Sequence, residues 1–135
     1  MLAGMDNSDE SGYKLVHRLD LPTSGALAVA RGRLAAVKLT RAFHDRTVRK
    51  KYVAVLQGIP ATPQGLINHP LVERNTDVVP ATDENEGRAK EAVTKYRVLK
   101  SGCHEEVLVS LVEFDILTGR KHQIRVHSRH NRNRQ

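Results

Sequence analysis

The sequence contains no tryptophan, two phenylalanines and three tyrosines, so its core must be built mainly from aliphatic side chains. It has one cysteine, Cys103, which excludes an internal disulfide and a cysteine-ligated metal site and favours a reducing compartment. No apolar run approaches the ~20 residues that a membrane-spanning helix needs. Residues 1–12 have neither the basic start nor the apolar middle of a signal peptide. We therefore expect an intracellular protein, cytoplasmic or organellar, with no membrane partner.

Acidic side chains are in the minority, with 15 Asp and Glu against 22 Lys and Arg, and the formal net charge is +7. Such a surplus favours a polyanionic partner, and nucleic acid is the first candidate. A basic surface kept for solubility alone is the alternative. The hydrophobic fraction of 39% and the charged fraction of 27% are typical of a globular protein, and 135 residues correspond to one domain.

Hydrophobic patterning divides the chain into a disordered lead-in at residues 1–12, a folded domain at 13–127 and a basic tail at 128–135. Within the domain it predicts strands at 13–19, 25–30, 48–58, 65–72, 90–99 and 107–117, and helices at 33–46 and 120–130. The polar residues 73–88 are predicted to form an exposed loop, and residues 100–106, which include Ser101-Gly102, are predicted to connect the last two strands as a hairpin. This order of elements predicts an α+β fold with a mixed, largely antiparallel sheet and helices packed on it.

The stretch HRLDLPTSG, residues 17–25, places Asp20 in a run of turn-forming residues between two apolar strands. An aspartate in such a position is usually a turn former or a cap, because its side chain bonds nearby backbone N–H groups. An arginine beside it would hold it ionised, and an ionised carboxylate with a fixed partner is a competent nucleophile. The residues alone leave both the role of Asp20 and its partner open.

Tyr52 follows the basic run Arg49-Lys50-Lys51 at the start of a predicted strand. An aromatic ring beside cations suits stacking on a nucleobase while the cations hold phosphates. Along this predicted strand Tyr52, Ala54 and Leu56 share one face, and Val53 and Val55 the other. This periodicity favours core packing of the Tyr52 ring. The stretch TGRKHQIRVH, residues 118–127, is a second basic cluster, and its alternative is a plain basic helix face.

Metal and thiol chemistry find little support in the residue pattern. The spacing of His17, His122 and His127 fits no zinc motif, so no metal is expected. Cys103 has only His104 as a neighbouring base, and adjacent residues of a strand point to opposite faces. No glycine-rich phosphate loop is present.

Four motifs in order, HRLDLPTSG, RKKYVAVLQG, EAVTKYRVL and LTGRKHQIRVH, resemble those of the RluA-type pseudouridine synthases over residues 14–127. The resemblance implies an isomerase that converts uridine in RNA (rRNA or tRNA) to pseudouridine without a cofactor. The family continues on both sides of the matched stretch, so the resemblance also implies that residues 13–127 are part of a catalytic domain. RNA is the expected partner, and we expect a monomer.

The resemblance assigns roles to four residues by motif position. Asp20 matches the catalytic aspartate, and Arg18 matches the arginine that helps displace the target nucleotide. Tyr52 matches the tyrosine that stacks on the target base and is a candidate proton acceptor, and Arg125 matches the arginine that pairs with the aspartate. The resemblance thus predicts that the Arg125 guanidinium lies within salt-bridge distance of Asp20, with Tyr52 beside the same cleft.

Three further residues are predicted to bind RNA because they lie in or beside these motifs: Lys50, Arg120 and His122. The alternative function is a catalytically inactive RNA-binding module with the same fold, which keeps the basic surface and the stacking of Tyr52 without turnover. A basic domain with no role on RNA is a third hypothesis, and the ordered motifs argue against it.

Overall fold

The computed structural model describes residues 12–132, apart from the side chains of Glu84, Glu86 and Arg132. The predicted lead-in, except Gly12, and residues 133–135 of the predicted tail lie outside the described residues. The chain forms two compact units, Met1–Val48 and Arg49–Gln135. No helix in the described range is long and apolar enough to cross a membrane.

The elements, in chain order, are β1 (Tyr13–Leu15), β2 (Val29–Arg31), α1 (Arg33–His44), β3 (Lys51–Gln57), β4 (Gln64–Asn68), β5 (Leu71–Arg74), β6 (Asp77–Pro80), a 3₁₀ helix (Asp83–Arg88), β7 (Val93–His104), β8 (Val107–Ile116) and α2 (Gln123–Arg132).

The first unit consists of an antiparallel strand pair, β1 with β2, followed by α1. α1 begins directly after Gly32, whose φ of 82° favours glycine because a Cβ is strained there. The predicted strands at 13–19 and 25–30 are both shorter in the structure. The residues between Leu15 and Val29 instead form a long loop, because Asp20 and the residues after it make a turn rather than extended backbone.

The second unit is built on a four-stranded sheet in the order β3-β8-β7-β4, and each of its strand pairs is antiparallel. Alternation along β3 is as predicted: Tyr52, Ala54 and Leu56 pack on the core, whereas Val53 and Val55 are exposed. The core on the inner face consists of four buried residues, Ile67, Tyr96, Val112 and Phe114. The predicted α+β fold class is confirmed.

The predicted hairpin with its connection at 100–106 is confirmed, but the connection is shorter than predicted and Ser101-Gly102 is not its turn. Both residues pair with β8, Ser101 with Ser110 and Gly102 with Val109. The turn lies instead at Glu105 and Glu106, whose φ values are 46° and 65°. Two positive φ angles are typical of a tight hairpin turn, but that turn normally uses Asn and Gly. The glycine signal therefore predicted the hairpin but not its turn.

The predicted exposed loop at 73–88 is also wrong in part. β5 and β6 form a hairpin there, and Val78 is buried in a second cluster with Leu71 and Ala92. Val126 of α2 packs against this cluster. Because β6 has four residues, it is too short to show a clear periodicity. α2 in turn extends to Arg132, into the stretch that the sequence assigned to the tail.

Candidate active site

The loop that carries Asp20 is held by contacts of its own. The Thr23 amide donates a hydrogen bond to the main-chain carbonyl of Asp20 at 2.8 Å, which closes a turn through Leu21 and Pro22. The Asp20 side chain is half-buried, and Arg18 is exposed. The turn-forming role of this stretch is therefore real, but the main-chain carbonyl rather than the carboxylate accepts the Thr23 bond.

His17 ties the start of this loop to its end. Its Nε2 accepts a hydrogen bond from the Ala28 amide at 2.8 Å. Its ring stacks on Phe43 of α1, with ring centroids 4.6 Å apart and an interplanar angle of 26°. The residue pattern suggested no role for His17 other than metal binding. In the structure, its ring nitrogen bonds the end of the loop and its ring face packs on α1.

Tyr52 serves the core and is still partly accessible. It lies on the inner face of β3, in register with Phe114 of β8. Its ring packs against the core cluster and is half-buried. The core-packing interpretation of Tyr52 is therefore correct, and its stacking on a nucleobase stays a prediction.

Lys50 lies beside the Thr118-Gly119 turn. Its ammonium donates to the Thr118 carbonyl at 3.4 Å, and its own carbonyl accepts from the Ile116 amide at 3.1 Å. A Cβ at Gly119 would lie 3.2 Å from the ammonium nitrogen, so a side chain there would crowd Lys50. The structure thus brings together two of the sequence motifs, RKKY and TGRKHQ.

Lys51 points to the opposite face of the sheet from Tyr52. Its ammonium lies 3.3 Å from the Glu113 carboxylate, which Arg97 also approaches at 3.1 Å. The hydrogen bond from Lys51, together with the positive charges of both groups, lowers the pKa of Glu113. Because the pairs are exposed to solvent, this cluster belongs to the surface and contributes little to stability.

Gln123 is the buried junction between the TGR turn, β7 and α2. Its side-chain oxygen accepts from the Thr118 hydroxyl at 2.7 Å and from the Arg120 amide at 3.0 Å. Its side-chain nitrogen donates to the Val93 carbonyl at 3.0 Å and to the Thr94 hydroxyl at 2.8 Å. Both donors and both acceptor positions of this amide are used, and the residue is 3% exposed.

His127 continues this network one helical turn later. Its Nε2 donates to the His69 carbonyl at 2.9 Å, because a carbonyl can only accept. Its Nδ1 is therefore the acceptor in the neutral ring and takes the Thr94 hydroxyl proton, at 2.9 Å. Burial lowers the pKa of His127, so the neutral ring is favoured. His127 is thus a helix anchor rather than part of a basic face.

Arg125 is exposed on α2 between residues that anchor the helix. Ile124 packs against the cluster around Phe114, and Val126 packs against the second cluster. Gln123 and His127 hold the same helical turn by hydrogen bonds. The backbone at Arg125 is therefore fixed from both sides while its guanidinium projects outward.

The other two residues predicted to bind RNA lie in the turn before α2. The Nε of Arg120 donates to the Glu91 carbonyl at 2.9 Å, which directs this side chain towards the segment that precedes β7. His122 has a φ of 52°, a left-handed conformation that redirects the chain into the helix.

The second unit also contains an apolar cavity of about 300 Å³ near the end of β3 and the C-terminal half of α2. Phe114, Tyr96 and Ile67 line it, together with Ser128 and Arg129. The residues predicted for the site do not line this cavity.

The predicted site residues are divided between the two units. Arg18 and Asp20 belong to the first, and the others belong to the second: Lys50, Tyr52, Arg120, His122 and Arg125. The ion pair between Asp20 and Arg125 would join the units and stays a prediction.

Sequence reasoning missed the anchoring roles of Gln123 and His127. The two residues are four positions apart, so they lie on the same side of the helix, close to Ile124. That spacing is the signal that could have revealed a buried face.

Comparison with known proteins extends over nearly the whole chain. A family model described as RNA pseudouridylate synthase matches residues 2–130. Ribosomal large subunit pseudouridine synthase C of Rickettsia bellii is 40% identical over 123 residues, which are 91% of this chain and 40% of that protein. An uncharacterized RNA pseudouridine synthase of Bacillus subtilis is 36% identical over 121 residues, 90% of this chain and 39% of that protein. The chain spans about two fifths of the length of these curated relatives.

Two solved structures are similar as well. Human RNA pseudouridylate synthase domain containing 1 superposes with a TM-score of 0.79 at 35% identity, over 86% of this chain and 49% of that one. Human RNA pseudouridylate synthase domain containing 4 gives a TM-score of 0.69 at 32% identity, over 85% of this chain and 46% of that one. The described fold is therefore similar to the fold of these two domains.

Proposed function

The chain belongs to the RNA pseudouridylate synthase family, and we propose that it isomerises uridine in RNA to pseudouridine with Asp20 as the catalytic carboxylate. The observation that carries this proposal is the family match over residues 2–130, which includes all four motifs in order. The contacts of the Asp20 loop support it, because a catalytic carboxylate must be held in a defined position.

The proposed reaction starts when the target uridine leaves its stack in the RNA, at a cost of a few kcal/mol. We assign the filling of the vacated position to Arg18, and its exposure in the same loop as Asp20 supports this role. Asp20 then acts at the ribose, either by attacking C1′ or by removing a neighbouring proton. The glycosidic bond breaks and the uracil turns. C5 then bonds to C1′ while Asp20 releases C1′ or returns the proton that it took, and the proton lost from C5 is matched by one gained at N1.

Tyr52 and Arg125 complete the proposed site. The half-buried ring of Tyr52 holds the uracil by stacking while it turns. Arg125 keeps Asp20 ionised and aimed, which requires the two units to bring these side chains together. The anchoring of α2 by Gln123 and His127 supports this role, because it limits the positions that Arg125 can adopt.

We propose rRNA or tRNA as the substrate, with Lys50, Arg120 and His122 as additional RNA contacts. The net charge of +7 supports a polyanionic ligand. The position of Lys50 beside the Thr118-Gly119 turn supports a shared phosphate-binding surface of these two motifs.

The test is the conversion of uridine in structured RNA, scored by chemical labelling of pseudouridine. We expect Asp20→Ala to lower the rate by ~10²–10⁴-fold or more while RNA affinity persists. Asp77→Asn removes an exposed carboxylate at the β5–β6 hairpin and is the matched control, with an unchanged rate. Activity that survives in Asp20→Ala contradicts the assignment.

The second candidate function is a catalytically inactive RNA-binding module. The observation that favours it is the surplus of 22 Lys and Arg over 15 Asp and Glu, because RNA binding alone is enough to explain it. It predicts RNA binding without product in the wild type and in Asp20→Ala alike. Both functions require the affinity for RNA to fall steeply as the salt concentration rises. An RNA affinity that does not change with salt concentration contradicts both.

A further inference from the structure

The loop between β1 and β2 is long for a connection between paired strands. Hairpin loops usually have 2–5 residues, whereas this one runs from Val16 to Ala28. The pairing of Leu15 with Val29 holds its two ends together. Within the loop, one hydrogen bond forms the Asp20–Thr23 turn, and another runs from the Ala28 amide to His17 Nε2. Through this second bond, one imidazole also joins residues 17 and 28 on either side of the segment that carries Asp20.

The geometry also defines the chemical state of that imidazole. Nε2 must keep its lone pair to accept from the Ala28 amide, so the ring is neutral and its proton is on Nδ1. The same lone pair is then not available to accept a substrate proton or to ligate a metal. The Phe43 ring, stacked at 4.6 Å, holds the imidazole plane in the orientation that this bond requires.

We propose that His17 is the positioning residue of the site: by accepting the Ala28 amide on Nε2, it closes the loop and sets the position of Asp20. The catalytic consequence rests on the function proposed above. Asp20 lies three residues after His17, inside the closed segment. Opening the loop moves the carboxylate without removing any group that touches RNA, and a displacement of about 1 Å is enough to cost ~10²-fold in rate.

Two substitutions separate the hydrogen bond from the ring. His17→Gln places an amide oxygen near the position of Nε2 and keeps the acceptor, but it loses the stacking on Phe43. His17→Phe keeps a flat ring against Phe43 but loses the acceptor. If His17 only fills space, His17→Phe should do less damage than His17→Gln. If His17 acts through its hydrogen bond, His17→Gln should do less damage than His17→Phe.

The kinetic test measures kcat and KM for structured RNA in the wild type and both variants. We expect His17→Phe to lower kcat by ~10²-fold with KM little changed. His17→Gln should stay within about threefold of the wild type, because the acceptor is retained. Melting temperatures are measured alongside. The proposal is overturned if kcat falls equally in the two variants, or if it falls further in His17→Gln than in His17→Phe.

A spectroscopic test does not depend on turnover. In ¹⁵N-labelled full chain, a scalar coupling between the Ala28 amide nitrogen and His17 Nε2 reports the N–H···N bond directly. Backbone order parameters of residues 18–27 should drop below ~0.6 in His17→Phe and stay near ~0.85 in the wild type and in His17→Gln. A loop that is equally ordered in all three proteins, or a missing coupling in the wild type, overturns the proposal.

The two tests separate this inference from the proposed function. If the wild type makes no pseudouridine, the proposed function fails, and the coupling and order parameters still decide the role of His17. If the wild type is active and Asp20→Ala is not, but His17→Phe keeps its kcat, the function stands and the role of His17 is refuted.

Discussion

Replacing Gln123 by leucine removes the junction that fastens α2 and the TGR turn to β7. Leucine has a similar size but makes none of the four hydrogen bonds of the amide. The buried Thr118 hydroxyl and the partly buried Arg120 amide lose the acceptor they share, whereas the Val93 carbonyl still accepts from the Leu117 amide and Thr94 keeps His127.

The magnitude follows from those partners. A buried donor left without an acceptor costs about 1–3 kcal/mol, and each remaining lost bond costs about 0.5–1.5 kcal/mol. The apolar leucine side chain offsets about 1 kcal/mol of this. We expect a net loss of about 3 kcal/mol in the free energy of unfolding, which is large against a typical total of about 5–15 kcal/mol.

Urea unfolding followed by circular dichroism measures this loss as a lower midpoint with an unchanged slope. Native-state amide exchange should show that α2 opens more readily than β8, because the lost bonds fasten the helix. Gln64→Leu, at an exposed position of the edge strand β4, is the control and should change stability by less than about 0.5 kcal/mol. A loss below about 1 kcal/mol for Gln123→Leu, or equal exchange in both elements, refutes the reasoning.

Two further predictions concern His127 and Gly65. Burial lowers the pKa of His127 below its ordinary 6.5, so the stabilisation it contributes is present above about pH 6.5 and is lost as pH falls towards the folded-state value. Urea unfolding measures the free energy of unfolding of both proteins as the pH is lowered through this range. It should fall less for His127→Gln than for the wild type. A difference between the two proteins that does not change with pH contradicts the argument. A Cβ at Gly65 would lie 2.7 Å from the Tyr96 ring, so Gly65→Ala should cost about 1–3 kcal/mol in thermal unfolding. At Gly102 a Cβ meets nothing within 4 Å, so Gly102→Ala should be nearly neutral, and equal losses at both positions rule out the contact as the cause.

Local sequence signals predicted the elements that a single segment determines. The alternation of β3 was visible because one face of that strand is buried and the other is exposed. The turn at Asp20 was visible because Pro, Thr, Ser and Gly favour turns over extended backbone. The short strand β6 was not predicted and β5 only in part, because what stabilises Val78 is a cluster with Leu71 and Ala92 from other segments.

The candidate site shows the same division. By itself the sequence determined the family and, through motif position, the candidate roles of Asp20, Tyr52 and Arg125, because these motifs are contiguous in the chain. Only the tertiary structure decided that Gln123 anchors the helix, since its four partners come from two separate stretches of chain, 93–94 and 118–120. Likewise, only the fold brings the Ala28 amide back to His17, because closing that loop depends on the pairing of β1 with β2.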